Sequence, residues 1–301
     1  MSEKIISWLS FAITALLLLP ACAEVVQVGT TMGHGAGVIT SEQKGSIDRT
    51  AIKSERAARP ITDREEYYLG RAVAATILGQ YRLYLNERTT NYLNRLGNAL
   101  ALASDRPFTY GGYHFAVLDS EEVNALACPG GIVLITRGML KRAANEEELA
   151  AILAHEIAHV NHKDGLAAIK QSRWVEVVAT LGGGATREFS GGQLDKLATL
   201  FEGSVNDVAK TLIINGYGRK QELVADRSAM IFMHRLGYDP NGLTDYLAKL
   251  AGQQETGAGK GLFATHPDMS YRLVKARGFI SENNWPRQNH LVRDSRFHRY
   301  L

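Results

Sequence analysis

The sequence predicts an α+β protein that is mostly helical, with a small β-sheet. Two observations carry that prediction. From Thr62 onward apolar residues recur at helical spacing through most of the chain, and only 113–119 and Ile132–Thr136 read as strands. In addition, no self-similarity appears at a spacing of 20–50 residues, which excludes a helical-repeat array.

The chain opens on a leader. Lys4 precedes an apolar run from Ile5 to Leu19, followed by Pro20, Ala21, Cys22 and Ala23. A positive start, a short apolar core and small residues are the pattern of an export signal over residues 1–23. The run is shorter than the ~20 residues a spanning helix needs. Two cleavage chemistries fit. Ala21-Cys22-Ala23 directs cleavage before Glu24, whereas Leu19-Pro20-Ala21-Cys22 is similar to a bacterial lipobox that would leave a lipid on Cys22. Residues 24–60 carry Gly29, Gly33, Gly35 and Gly37 without a helical or strand period, so a flexible tether is expected there. No strand leads into Gly33-His34-Gly35, which is therefore no phosphate loop.

A continuous domain is expected over 61–301. Thr62 and Glu65 form a capping box ahead of Tyr68, Leu69, Val73 and Ile77. A second helix runs through Tyr92, Leu93, Leu96 and Leu100 and stops before Pro107. Tyr113, Phe115 and Val117 alternate with His114, Ala116 and Leu118 as a strand. Pro129-Gly130-Gly131 turns the chain into a second strand, Ile132 to Thr136. Asn145 caps the next helix, with Glu146, Glu147 and Glu148 in its first turn where the dipole favours them. Leu149, Ile152, Leu153, Ile157 and Val160 form its apolar stripe, and Gly165 ends it. Further helices are expected over 166–181, 194–214, 219–236 and 241–250.

Composition narrows the function. With 34 Lys+Arg against 31 Asp+Glu, the net charge of +3 gives no basic stripe for nucleic acid. The 45 per cent apolar content excludes wholesale disorder. Cys22 and Cys128, the two cysteines, cannot make a disulfide framework, and Cys128 reads as a small packing residue.

The chemistry concentrates in His155-Glu156-Ile157-Ala158-His159 on the capped helix. Residues four apart share a helix face, so His155 and His159 can both aim imidazole nitrogens at one Zn²⁺ at ~2.0–2.1 Å. Glu156 sits beside that face and can take a proton from the attacking water. Ala154 and Ala158 leave room around the pair. A third ligand must come from another helix, and Glu222-Leu223-Val224-Ala225-Asp226 fits: Glu222 as ligand, Asp226 as hydrogen-bond partner to the outer nitrogen of a ligand histidine.

These residues, with Asn124-Ala125-Leu126-Ala127, Pro129-Gly130-Gly131, Thr136-Arg137-Gly138, Glu148-Leu149-Ala150 and Thr265-His266-Pro267, resemble the zinc metallopeptidases of the HtpX and CAAX-prenyl-protease type. The likeness is to the periplasmic, BepA- and LoiP-like branch and runs from about Thr62 to Arg272. It implies a zincin-like (gluzincin) catalytic domain and a metalloendopeptidase with one Zn²⁺ held by His155, His159 and Glu222. It makes Glu156 the general base and Asp226 the partner of His155. It puts Asn124 and Ala125 on an edge strand that pairs with the extended substrate backbone. His266 would lie over the cleft, either serving the oxyanion or filling the open metal position and keeping the enzyme latent. Arg272 is expected to pair with an acidic residue near the site, and His162 and Asp164 to be exposed helix-end residues. The implied substrates are misfolded or misassembled envelope proteins, with membrane contact only through a lipid on Cys22. The branch's larger members add a helical-repeat domain, and none is expected in this sequence. An envelope chaperone or assembly factor that keeps zinc without hydrolysis is the alternative, and the intact Glu156 speaks against it.

Overall fold

The computed structural model describes residues 23–35, 37, 40–45, 61–169, 191–255, 260–288 and 291–301. The leader and Cys22 lie outside them. The chain divides into two units, Met1–Ile61 with Lys170–Gly203, and Thr62–Ile169 with Ser204–Leu301. In the first unit, helix α1 (Ala23–Gly35) stands where a tether was expected. Val25, Val28 and Met32 provide a sparse three- and four-residue spacing that the glycines obscure.

In the second unit, α2 (Asp63–Leu78) starts at the capping box: Glu65 N–H donates to the Thr62 hydroxyl, and Thr62 N–H donates to the Glu65 carboxylate at 2.9 Å. Helix α3 (Glu87–Leu102) is capped by Asn86. It lies on strand β1 (His114–Leu118), where Asn94 clamps both backbone groups of Phe115 at 2.7 and 3.0 Å. Strand β2 (Ala125–Cys128) and strand β3 (Ile132–Thr136) complete a three-stranded sheet of order β1-β3-β2. β1 runs parallel to β3 with His114 opposite Ile132, and β2 runs antiparallel to β3 with Ala125 opposite Ile135. Between β2 and β3 the chain turns at Pro129–Gly131, where Gly130 holds φ 77°, a left-handed conformation that strains any residue with a Cβ.

One turn of helix, α4 (Arg137–Leu140), leads to α5 (Glu146–Asn161), capped by Asn145 as expected. The expected apolar stripe understates α5. Ala150, Ala151, Ala154 and Ala158 are as fully buried as Leu149 and Leu153, so the helix is enclosed on all sides. Small side chains let neighbours approach every face. After α6 (Asp164–Ala167) the expected helix over 166–181 passes mostly outside the described residues. Helix α7 (Gly191–Lys210) runs into a π-helical turn at Thr211–Asn215. Then follow α8 (Arg219–Arg235), α9 (Asn241–Glu255), α10 (Lys260–Thr265), α11 (Met269–Glu282) and α12 (Leu291–Tyr300). α8 and α9 both pack on α5 and α11, which places the site helix at the centre of the core.

Candidate metal centre

Three elements converge on one buried cluster. α5 supplies His155 and His159, α8 supplies Glu222, and the end of α10 supplies His266. One donor atom from each of the four lies within 4.8 Å of all the others. The Nε2 atoms of His155 and His159 are 3.1 Å apart, and Glu222 stands 3.5 Å from the first and 3.4 Å from the second. His266 Nδ1 is 2.9 Å from Glu222 and 3.4 Å from His155. Ligand atoms about 2.0–2.1 Å from one tetrahedral ion would be roughly 3.3 Å from each other. The donor set, two or three imidazoles and a carboxylate, is the chemistry zinc takes.

Each α5 histidine has an outer carboxylate. His155 Nδ1 lies 3.0 Å from Asp226. Arg272 holds Asp226 with two hydrogen bonds of 2.8 and 2.7 Å and reaches Glu222 at 2.5 Å, so the expected pairing of Arg272 is present. Asp164 corrects the sequence reading. It is buried, and its carboxylate lies 2.8 Å from His159 Nδ1 and accepts a bond from Gln221 at 3.0 Å. Lys163 takes a left-handed φ of 57°, which ends α5 abruptly and folds Asp164 back onto its histidine. His162 is half-buried and pairs with Ser228.

These contacts set the charge states. Burial alone would lower the His155 pKa, but Asp226 and Glu222 overcome it and hold it up at about 10. His159 is raised by Asp164 and Glu222 against the same burial cost. Burial would raise the two carboxylates, yet His266 and Arg272 hold Glu222 well below its usual range, and Arg272 and His155 hold Asp226 at about 2. Both acids are therefore anionic, ready to neutralise a cation. Cys128 is fully buried and free, and burial followed by Glu156 pushes its thiol up to about 12. It is inert packing, as expected.

Glu156 is buried beside the cluster, with one carboxylate oxygen 3.9 Å from His266 and the other without a hydrogen-bond partner among the described residues. Tyr217, which the sequence reading missed, stacks on His159 with ring centroids 4.1 Å apart. No periodicity marks it. Its signal is the pair of glycines around it: Gly216 at φ 70° lies so close to Thr265 that a Cβ there would come within 2.2 Å of its carbonyl oxygen. Tyr217 N–H then donates to that oxygen at 3.0 Å. Ala125 begins β2, an outer strand of the sheet, and Asn124 directly precedes it, but both are buried. Asn124 exchanges bonds with Thr136, and Thr265 reaches its side chain at 3.4 Å.

Among the described residues no helix is long and apolar enough to cross a membrane. Residues 87–280 match the sequence pattern of peptidase family M48. The chain is 27 per cent identical over 267 residues to the Beta-barrel assembly-enhancing protease of Yersinia pestis, covering 86 per cent of this chain and 48 per cent of that one. It is 27 per cent identical over 195 residues to the Mitochondrial metalloendopeptidase OMA1 of Schizosaccharomyces pombe, covering 64 and 54 per cent. It is 24 per cent identical over 271 residues to the Metalloprotease YcaL of Escherichia coli, covering 89 and 98 per cent. The chain spans about half the length of the first two relatives.

Proposed function

We propose, since this chain belongs to peptidase family M48, that it is a zinc-dependent metalloendopeptidase that cleaves envelope proteins. The observation that carries this reading is the buried His155, His159, Glu222 and His266 cluster with the unpartnered oxygen of Glu156 at its side. His155, His159 and Glu222 would hold one Zn²⁺. When bound, the ion polarises the scissile carbonyl and acidifies a water. Glu156 accepts that water's proton and passes it to the leaving amine. Asp226 and Asp164 fix the tautomers and planes of the two α5 histidines, and Arg272 holds Asp226 and Glu222 in register.

The close approach of His266 to Glu222 and His155 supports its role as a fourth donor in a latent form. The contact of Thr265, next to His266, with the buried Asn124 side chain supports the same closed state, in which the start of the strand edge that would pair with substrate is covered. His266→Ala then raises peptide hydrolysis with zinc retained. A fall of ~10²–10³ would instead make His266 the oxyanion donor.

Export completes the reading: a signal over 1–23 cut before Cys22 or Glu24, a linking stretch over 24–60 that includes α1, and the peptidase domain within 61–301. The name of the Yersinia relative, a protease that enhances β-barrel assembly, supports envelope proteins as substrates, and the pattern of residues 1–23 supports an exported chain, with a lipid on Cys22 or free in the periplasm. The decisive experiment is Glu156→Gln, assayed for metal content and for casein hydrolysis. Retained zinc with hydrolysis lowered ~10²–10⁴-fold supports the enzyme. Unchanged turnover overturns the mechanism, and a wild type without chelator-sensitive hydrolysis favours a zinc-bearing chaperone.

A further inference from the structure

Tyr217 is the one tyrosine of the described residues whose buried hydroxyl has no hydrogen-bond partner among them. Buried phenols ordinarily find one. Tyr92 and Tyr238 both bond Glu146, and Tyr113 bonds the Arg106 carbonyl. The ring itself is well held. It stacks on His159 at an interplanar angle of 25°, its N–H is bonded to Thr265, and the next residue, Gly218, caps α8, the helix that carries Glu222 and Asp226. Packing alone would be served as well by phenylalanine, and an unpartnered buried hydroxyl costs stability. A cost that persists at a reacting centre points to a use there.

The surroundings indicate the use. Tyr217 lies against the cluster, its ring centroid 4.1 Å from that of His159 and 6.0 Å from that of His266, and one oxygen of Glu156, on the same helix as His159, is likewise without a partner among the described residues. A phenol, with an ordinary pKa of ~10, is a neutral O–H donor at neutral pH.

We propose that Tyr217 is a catalytic hydrogen-bond donor, whose O–H serves the oxygen that gains negative charge as a peptide carbonyl is attacked beside Glu156. No proton is transferred: the phenol donates a hydrogen bond, and Glu156 alone carries the proton to the amine. The inference rests on the peptidase reading above and adds a residue to it. Such a donor, held by its stack on His159 and by the Thr265 bond just ahead of the helix that carries Glu222, needs no reorganisation when charge develops.

The test is Tyr217→Phe in the full chain, run beside wild type and Glu156→Gln. The ring, its stack on His159 and its volume are kept, and only the hydroxyl is lost. The expected result is kcat lowered about 10²-fold with KM nearly unchanged. Zinc per chain should stay at the wild-type value. The melting temperature of the chelated, metal-free protein should equal or exceed that of wild type, because an unpaired buried group has been removed. A kcat equal to wild type overturns the proposal, since the hydroxyl then does nothing in the reaction. A lowered kcat accompanied by lost zinc or a lower metal-free melting temperature also overturns it, because the hydroxyl is then structural. Activity lost in Glu156→Gln but not in Tyr217→Phe leaves the peptidase reading standing and removes Tyr217 alone. Wild type and Glu156→Gln with equal, chelator-insensitive turnover would remove both.

Discussion

The two ends of helix α5 are polar, buried and opposite in character. At the first turn, Glu146 is fully enclosed and every contact is satisfied: Tyr92 and Tyr238 hydroxyls donate at 2.7 and 2.6 Å, and Arg296 donates through Nε at 2.7 Å and through Nη2. Three turns later, His155, Glu156 and His159 crowd donor atoms together, and Glu156 and Tyr217 keep atoms without partners among the described residues. A satisfied network rigidifies a core; an unsatisfied one is tolerated only where something else is to be bound. The same helix thus separates anchoring from chemistry by about 15 Å of axis, at ~1.5 Å per residue.

The largest effects should come from the unsatisfied end, and they should fall on function. His155→Ala is expected to lose both zinc and detectable hydrolysis, measured on one preparation by metal analysis and peptide cleavage. Full metal retention would mean that the ligands lie elsewhere. At the satisfied end the effect should fall on stability. Glu146→Ala leaves two buried hydroxyls without their acceptor and should cost ~2–4 kcal/mol in a urea melt, with hydrolysis per folded molecule unchanged. A loss of activity at constant stability would erase the distinction between the two ends.

A smaller effect separates the two outer carboxylates. Asp226 is locked by two bonds from Arg272, whereas Asp164 has one from Gln221. Asp164→Asn should weaken zinc binding ~10–100-fold, the usual loss when a partner of a ligand histidine is changed. Competition with a chelator of known affinity reads this directly. An unchanged affinity would return Asp164 to the helix-end role that sequence alone suggested.

That misreading shows where sequence information stops. The ligand helix was legible because its signal is local: a cap, a 3.6-residue stripe and two histidines four apart. The spacing of Glu222 and Asp226 puts them on one helix face, but alone it reads as an acidic edge, and the family resemblance supplied the roles proposed for them. Asp164 was not, because its role depends on the left-handed turn at Lys163, and nothing in the residue type demands that conformation. Glu146 was read as a charge favoured by the helix dipole, since its partners lie 54, 92 and 150 residues away. Tyr217 and the burial of Asn124 depend on how 211–217 and 260–266 pack together, and no periodicity encodes that. Helix α1 was missed because four glycines outweighed a sparse apolar spacing.

The smallest expected effect is a pH slope, and it isolates the charge on Glu146 from its shape. Burial alone would raise the Glu146 pKa, but Arg296 and the two tyrosine hydroxyls outweigh it and hold the carboxyl below its ordinary value. The unfolded chain therefore takes up the proton first as pH falls. The stabilisation is complete above the ordinary glutamate range, near ~4.3, and is lost as pH drops from there through the depressed folded value. Glu146→Gln keeps the shape and removes the titration. The stability difference between wild type and this variant should be constant from neutral pH down to about pH 5 and shrink below it. Both proteins should be measured metal-free, so that protonation of the histidine cluster on α5 does not enter the difference. A difference that stays flat through the acid range would show that hydrogen-bond geometry, and not the carboxylate charge, anchors the first turn of α5.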